Sequence, residues 1–426
     1  MLSGWPAVVV DIGSGCTKMG YAGNIEPHIV MPTCVANSAR GAHTVHLSQA
    51  HFLGTAHADL YIGEEAYRRK GSQAYSLSYP VRSGRIENWD DFERFMQQAI
   101  FRNLRCLPEE HHFLLTEAPF NTPENRELTA EIMFETFNVK GLHIAVQAVL
   151  ALYAQWVNEV KVELGDVAAA PDLTGLVVDS GDGLTHVIPV ADGFVVSSCI
   201  QEIPLAGRHI TQFVHDKLSE RKEPVPPEQR MEAARQIKEQ HTYLCKDIVE
   251  EYRKFDADPR KFKTFSGTAP KTKEAWSVQV GHERFLAPEI LFRPEISSEK
   301  GLRPLPEVVD ACIMQCPIDY RRRLYKNIVL AGGSTTFLHF KERLQHDLQS
   351  VVDARLNEVR LGSGAPPTPI PVCVHGGRQR KQQRYAAWLG GSLFAREPQF
   401  QAIVKTKQEY EEVGPSCMRG SAILLG

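Results

Sequence analysis

Val8-Val9-Val10-Asp11-Ile12-Gly13-Ser14-Gly15 and, a domain's length further on, Leu176-Val177-Val178-Asp179-Ser180-Gly181-Asp182-Gly183 decide the fold. Each reads as a short strand buried on both faces, ending in Asp and followed by Gly-x-Gly. A repeat at that separation points to two similar domains facing each other across a cleft.

The chemistry follows from the turns. Glycines at 13 and 15 let the backbone curl so that successive N–H groups converge on an anion. Ser14 adds a hydroxyl donor and Lys18 a cation suited to a phosphate tail. The Gly-x4-Gly-Lys-Ser/Thr loop of the common nucleotide triphosphatases is missing. Alone, the first turn is equally an ordinary hairpin turn. Gly181-Asp182-Gly183 adds a matching nest, so the pair would clamp a polyphosphate from both sides. Asp11 and Asp179, at matching strand ends, suit Mg2+ held largely through its own water, against the plainer reading that each bonds its own loop. A third site, Gly332-Gly333-Ser334-Thr335, follows the apolar run 328–330 and precedes a helical stretch at 337–348. A glycine turn feeding a helix favours phosphate or ribose approach, although close strand-to-helix packing would use the same residues. Gly390-Gly391 is a weaker instance.

Strand-like runs at 7–10, 113–115, 176–178 and 328–330 alternate with amphipathic segments, which predicts an α/β fold with mainly parallel sheets covered by helices. In residues 89–100 the apolar positions recur at threes and fours. Thr122-Pro123-Glu124 is a helix start, with Leu128, Ile132 and Phe137 continuing a buried stripe. Residues 36–58, 168–171 and 360–384 read as loops or linkers, the last with a basic run at 378–384 that lacks interleaved aromatics. The chain has 426 residues, 48 Lys and Arg against 51 Asp and Glu, and 43% hydrophobic residues. Those figures exclude wholesale disorder, and a net charge of −3 gives no general attraction to nucleic acid. No apolar run reaches the roughly 18 residues of a membrane span, and the N-terminus does not read as a signal peptide. Nine scattered cysteines, with only Cys312 and Cys316 close together, read as reduced thiols. A soluble, cytoplasmic protein is expected.

The combination resembles the actin family, and within it the actin-related protein 3 branch. Asp11-Ile-Gly-Ser-Gly-Cys-Thr-Lys18 resembles the first phosphate loop, Asp179-Ser-Gly-Asp-Gly-Leu-Thr-His186 the second, and Gly332-Gly333-Ser334-Thr335 the adenosine loop. The branch is carried by segments outside those loops: residues 93–101, 113–127, 131–139, 316–329 and 410–416. The resemblance implies an actin fold binding ATP and Mg2+. Gly13, Ser14, Gly15, Cys16 and Lys18 would serve one side of the phosphates and Gly181, Asp182 and Gly183 the other. Asp11 and Asp179 would surround the hydrated metal. Gln147 would position an attacking water, with His186 its neighbour; residue by residue, they read as a polar interruption of a helix and a strand-edge histidine. Arg235, Lys238 and Glu239 would meet the nucleoside beside Gly332, Gly333 and Ser334, although periodicity alone makes them a solvated helix face. Arg384 stands where conventional actin has Lys.

It further implies an outer domain of 1–154 with 386–426 (small lobe about 33–70) and an inner domain of 155–385 (small lobe about 206–290). The implied function is nucleation of branched actin filaments, by pairing with a second actin-related protein to mimic a filament end. The implied partners are that protein, smaller subunits of the complex, actin filaments and nucleation-promoting factors, in the cytoskeleton. ATP hydrolysis would at most be slow. A filament-forming actin, a chromatin-remodelling actin-related subunit and an actin-fold metabolic kinase are the rivals; for the kinase no sugar pocket with a catalytic Asp is assignable. Residues 36–58, 156–173, 376–383 and 421–426 depart from the family pattern.

Overall fold

The computed structural model describes residues 4–38, 60–70, 72–163, 172–269, 272–297, 301–363, 368–377 and 379–420. The loops expected at 36–58 and 168–171 fall almost wholly outside them, as does the divergent tail at 421–426. Two compact units form: Met1–Pro171 with Tyr385–Gly426, and Asp172–Arg384.

In the first unit the sheet order is Lys405–Thr406, Gly141–Val146, His112–Glu117, Val8–Ile12, Cys16–Tyr21, Ile29–Pro32. Val8–Ile12 is buried along its whole length, as a central strand must be, and pairs in parallel with His112–Glu117. Its other neighbour, Cys16–Tyr21, is antiparallel, with Asp11 opposite Lys18. The second unit repeats the scheme. Phe194–Val195, Thr185–Ala191, Gly175–Ser180, Ile328–Ala331 and Val374–His375 lie in that order, and Asp179 stands opposite His186. Both sheets are therefore mixed, parallel through the middle with a hairpin added on one side.

Helices cover these sheets as the sequence pattern requires. Trp89–Gln98 starts on Asn88, whose side chain accepts from Asp91 N at 3.0 Å, and buries Phe92, Phe95 and Met96. Pro123–Glu131 starts on Thr122, which accepts from Asn125 N at 3.3 Å. The stripe expected along that helix is displaced. Thr129, Ala130, Met133 and Phe134 face inward, while Leu128 is 41% exposed. Phe137 is buried as expected, and the inward residues 130, 133, 134 and 137 keep helical spacing on a face that excludes Leu128. The helix ends in a wider turn, Ile132–Thr136, in which Phe137 N reaches back to Ile132 O at 3.1 Å, five residues away.

Two further expectations change. The helix expected at 337–348 runs from Phe340 to Ser363, and the expected loop 360–384 contains Val374–His375, paired in parallel with Ile328–Ala331, and the short helix Arg380–Arg384. A two-residue strand among prolines carries no periodicity to read. Gly390-Gly391 is a packing site rather than a phosphate turn. Both lie inside the helix Ala386–Phe394, and a Cβ on Gly390 would stand 1.9 Å from Leu150 O of the helix Gln147–Glu163. Trp388 of the same helix donates its indole N–H to Val9 O at 3.0 Å.

His143 tests this core. It is 1% exposed on the strand Gly141–Val146, with ring centroids 6.2 Å from Phe394 and 6.1 Å from Phe400. Its Nε2 has no hydrogen-bond partner among the described residues, and burial pushes its pKa down from 6.5 to about 4. The unfolded chain therefore binds a proton that the folded chain refuses between those values, so stability falls as pH drops from 6.5 towards 4. The loss should reach roughly 3 kcal/mol, from about 1.4 kcal/mol per unit. His143→Phe should flatten the melting curve against pH over that window; an unchanged slope would show that His143 is not the group responsible.

Candidate nucleotide site

In the first unit the site is assembled at the end of the central strand. Asp11, 3% exposed, accepts from Lys18 Nζ at 2.8 Å on Oδ2, and on Oδ1 from Thr116 Oγ1 at 2.6 Å and Gln147 Nε2 at 2.9 Å. Gln147 Nε2 also lies 3.2 Å from Thr116 Oγ1. Burial by itself raises the Asp11 pKa; the Lys18 charge and the three hydrogen bonds outweigh it and hold the carboxyl below its ordinary value. The carboxylate stays charged and Lys18 is fixed beside the turn.

The turn itself is braced from behind. Gly13 N donates to Cys16 O at 3.2 Å, Thr33 Oγ1 donates to Gly13 O at 2.7 Å, and Thr33 N donates to Gly15 O at 3.2 Å. A Cβ on Gly13 would meet Cys16 O at 2.9 Å and Lys18 Nζ at 3.4 Å, so glycine is needed there. Ser14 Oγ accepts from Gly84 N at 2.8 Å, which leaves its own proton to donate. Asp11, Gly13, Ser14, Gly15, Cys16, Lys18 and Gln147 are thus neighbours in space, as the loop and its network require.

The second unit gathers the other set. Gly181 O accepts from Gly207 N at 3.0 Å and from Ser334 Oγ at 2.7 Å, which ties the turn 181–183 to the glycine loop 332–334. Asp182 O accepts from Arg208 N at 2.9 Å. Gly332, at φ +86°, packs its backbone against the end of the strand Gly175–Ser180 too closely for any side chain. A Cβ there would lie 2.3 Å from Ser180 O and 2.5 Å from Asp179 Oδ1. Lys238 Nζ donates to Gly207 O at 2.9 Å from the helix Pro227–His241. Burial pulls Lys238 below the ordinary lysine value, with the charges of Arg235 and Arg384 adding to the shift and those of Asp182 and Glu239 opposing it. Arg384 passes 3.9 Å from the Cβ position of Gly333.

Arg235 and Glu239 pair with each other at 2.9 Å, and Arg235 also pairs with Glu232 at 2.6 Å, on a face near two-fifths exposed. His186 lies across the ladder from Asp179, but its Nε2 meets Glu202 Oε1 at 3.1 Å on the neighbouring strand Gln201–Ile203. Gln147 and His186 stand in different units, each held by partners of its own.

Three participants escaped the sequence reading. Thr116 reaches Asp11 because parallel pairing sets Val10 against Leu115, one step away. Gly207 opens the helix Gly207–Glu220 directly on Gly181. Gln383 donates to Thr335 O at 2.9 Å and Thr335 Oγ1 at 2.8 Å while its own carbonyl takes Gly332 N at 3.2 Å. The signal for Thr116, a hydroxyl ending an apolar strand, was present in Phe113-Leu-Leu-Thr116. The other two have none.

Two matching hairpins, each with an Asp at the strand end and a glycine turn after it, and a lysine fixed beside the first, define a protein of the duplicated α/β kind. The actin family profile matches residues 3–263 and 229–421, and the chain belongs to the actin family. Within it, the chain is a homologue of actin-related protein 3. It is 51% identical to the Drosophila melanogaster protein of that name over 423 residues, 98% of each chain. It is 48% identical to the Dictyostelium discoideum protein over 426 residues, 100% of this chain and 99% of that one.

Removing Lys18 strands a buried carboxylate. Lys18→Ala should cost roughly 2 kcal/mol of stability, since a nearly buried charge loses its partner. Adding Asp11→Asn should restore most of it, because the amide still accepts from Thr116 and Gln147 without a charge to neutralise. If the double variant melts as low as the single one in a calorimeter, the charge is not what Lys18 stabilises.

Proposed function

We propose that the chain is the ATP-binding actin-related subunit of the complex that nucleates branched actin filaments. The carrying observation is identity near one half over essentially the whole length to two proteins named actin-related protein 3, and Lys18 and Ser14 beside the first glycine turn support it. Its partners on this reading are a second actin-related protein, the smaller subunits, actin filaments and nucleation-promoting factors, and its place is the cytoskeleton.

The residues present fit a polyphosphate. The Ser14 hydroxyl and the Lys18 ammonium are two donors suited to phosphate oxygens, with buried Asp11 holding the ammonium in place. Bound Mg2+ would supply charge neutralisation of the phosphates, with Asp11 and Asp179 facing its water shell. Lys18 has three donors, so it can keep Asp11 while meeting a phosphate oxygen. Gln147, anchored by its amide nitrogen, keeps its carbonyl oxygen to orient a water. Orientation, not strong base strength, is what phosphoryl transfer asks of such a residue. One nucleotide would draw on donors from both units, and so act as a conformational ligand that favours the arrangement in which both sets reach it.

Three measurements check this. In a fluorescence titration, Lys18→Ala/Asp11→Asn should bind ATP at least about tenfold more weakly than the parent, the weight of a charge-assisted phosphate contact. Gln147→Ala should bind nearly as well yet hydrolyse bound ATP more slowly. The native mass of the protein purified from its own cells should correspond to an assembly with one copy of this chain, a second actin-like chain and several smaller subunits. A monomer, or a salt-dependent polymer of this chain alone, would refute the subunit reading while leaving the nucleotide site standing.

A further inference from the structure

A groove of about 260 Å³ lies on the first unit, away from the residues of the nucleotide site, lined by Trp89, Glu93, Leu128, Glu131, Ile132, Glu135 and Thr136. Its floor is apolar. Trp89 and Ile132 rest on the core beneath, Trp89 edge-on to Phe92 at 5.9 Å, and Leu128 is 41% exposed. Its rim is acidic. Among the described residues Glu93, Glu131 and Glu135 make no ion pair, and Glu135 has only the hydroxyl of Tyr410, at 2.7 Å. Two nearby arginines pair with other carboxylates: Arg126, on the helix Pro123–Glu131, with Glu117 at 2.8 Å, and Arg419 with Glu127 of the same helix at 2.6 Å.

The backbone flanking the groove is also unusual. Both helices that form it pass into wide turns closed by bonds spanning five residues: Arg105 N to Ile100 O at 2.8 Å after Trp89–Gln98, and Phe137 N to Ile132 O after Pro123–Glu131. Such turns are uncommon, cost helix geometry, and recur at functional sites. The second one begins at Ile132, which lines the groove.

The geometry points to this groove as a docking site for a basic amphipathic helix of a partner protein. Leu128, Ile132 and Thr136 step along it at four-residue spacing for roughly two turns, the length over which a helix presents apolar anchors at i, i+4 and i+7. Three unpaired carboxylates around that floor select lysines or arginines flanking the anchors. A second copy of this chain is a poor fit, because its own net charge is −3. The proposal does not depend on the nucleotide.

The test uses a fluorescein-labelled 14-residue peptide of Leu and Lys with Leu at helical spacing, titrated into the full chain with ATP and Mg2+ and read by anisotropy. The matching Leu and Glu peptide is the control. Saturable binding of the Lys peptide alone is expected, weakened at least about tenfold by Glu93→Gln/Glu131→Gln/Glu135→Gln, given three exposed ion pairs, and reduced by added salt. Leu128→Asp should weaken it further. All variants should keep the parent's melting point, since Gln still accepts from Tyr410. In the native assembly, carbodiimide should couple Glu131 or Glu135 to a lysine of another subunit or bound partner. Equal binding of both peptides, indifference to the substitutions, or coupling of Glu131 only to a second copy of this chain would overturn the proposal.

Discussion

Asp11 is a carboxylate taken almost wholly out of water at the end of the most buried strand, and the first unit is arranged around keeping it charged. Burial alone would favour its neutral form; a lysine at 2.8 Å and hydrogen bonds from a threonine and a glutamine reverse that preference. Each partner comes from a different element: the antiparallel neighbour strand, the parallel neighbour strand and the first turn of the helix Gln147–Glu163. The carboxylate therefore ties three elements to one point. A buried ion of this kind contributes less to stability than an apolar replacement often would, so its retention reads more naturally as specifying geometry.

The second unit reproduces the backbone and not the chemistry. Where the first hairpin sets Asp11 against Lys18, the second sets Asp179 against His186, whose ring turns to Glu202. Gly332 brings a backbone with no side chain against Ser180 and Asp179, and Gly181 O is bonded by Gly207 and Ser334. One unit carries a fixed positive charge and a hydroxyl beside its turn, the other a turn bonded into close backbone packing. A duplicated fold has thus kept its hairpins while their side chains diverged.

Much of this was legible before any coordinates. A strand ending in Asp with glycines after it is a local signal, and the turns, the Asn88 and Thr122 helix starts and the Phe92–Phe95–Met96 face all rest on residues within a few positions of each other. What escaped depends on long-range pairing. Thr116 acquires its role only once Val10 is registered against Leu115, and Gly207 and Gln383 only once their segments close on Gly181 and Gly332. Leu128 misled for a different reason. Its spacing fits a buried stripe, but residues 130, 133, 134 and 137 offer a second apolar face at the same helical spacing, and that face is the one that meets the core. The strand Val374–His375 was hidden by its length.

Lys18, Ser14 and Gln147 are held by bonds within the first unit, and Ser334 and Lys238 by bonds within the second. A ligand shifts a population only through a difference in affinity between states. On the proposed reading, the difference lies in whether both donor sets engage the same molecule at once. Substitutions that loosen one half, such as at Thr116 or Gln383, should then weaken binding without altering the response to it. Substitutions where the chain passes from one unit to the other, around 171–172 and 384–385, should alter the response while leaving each set of donors intact.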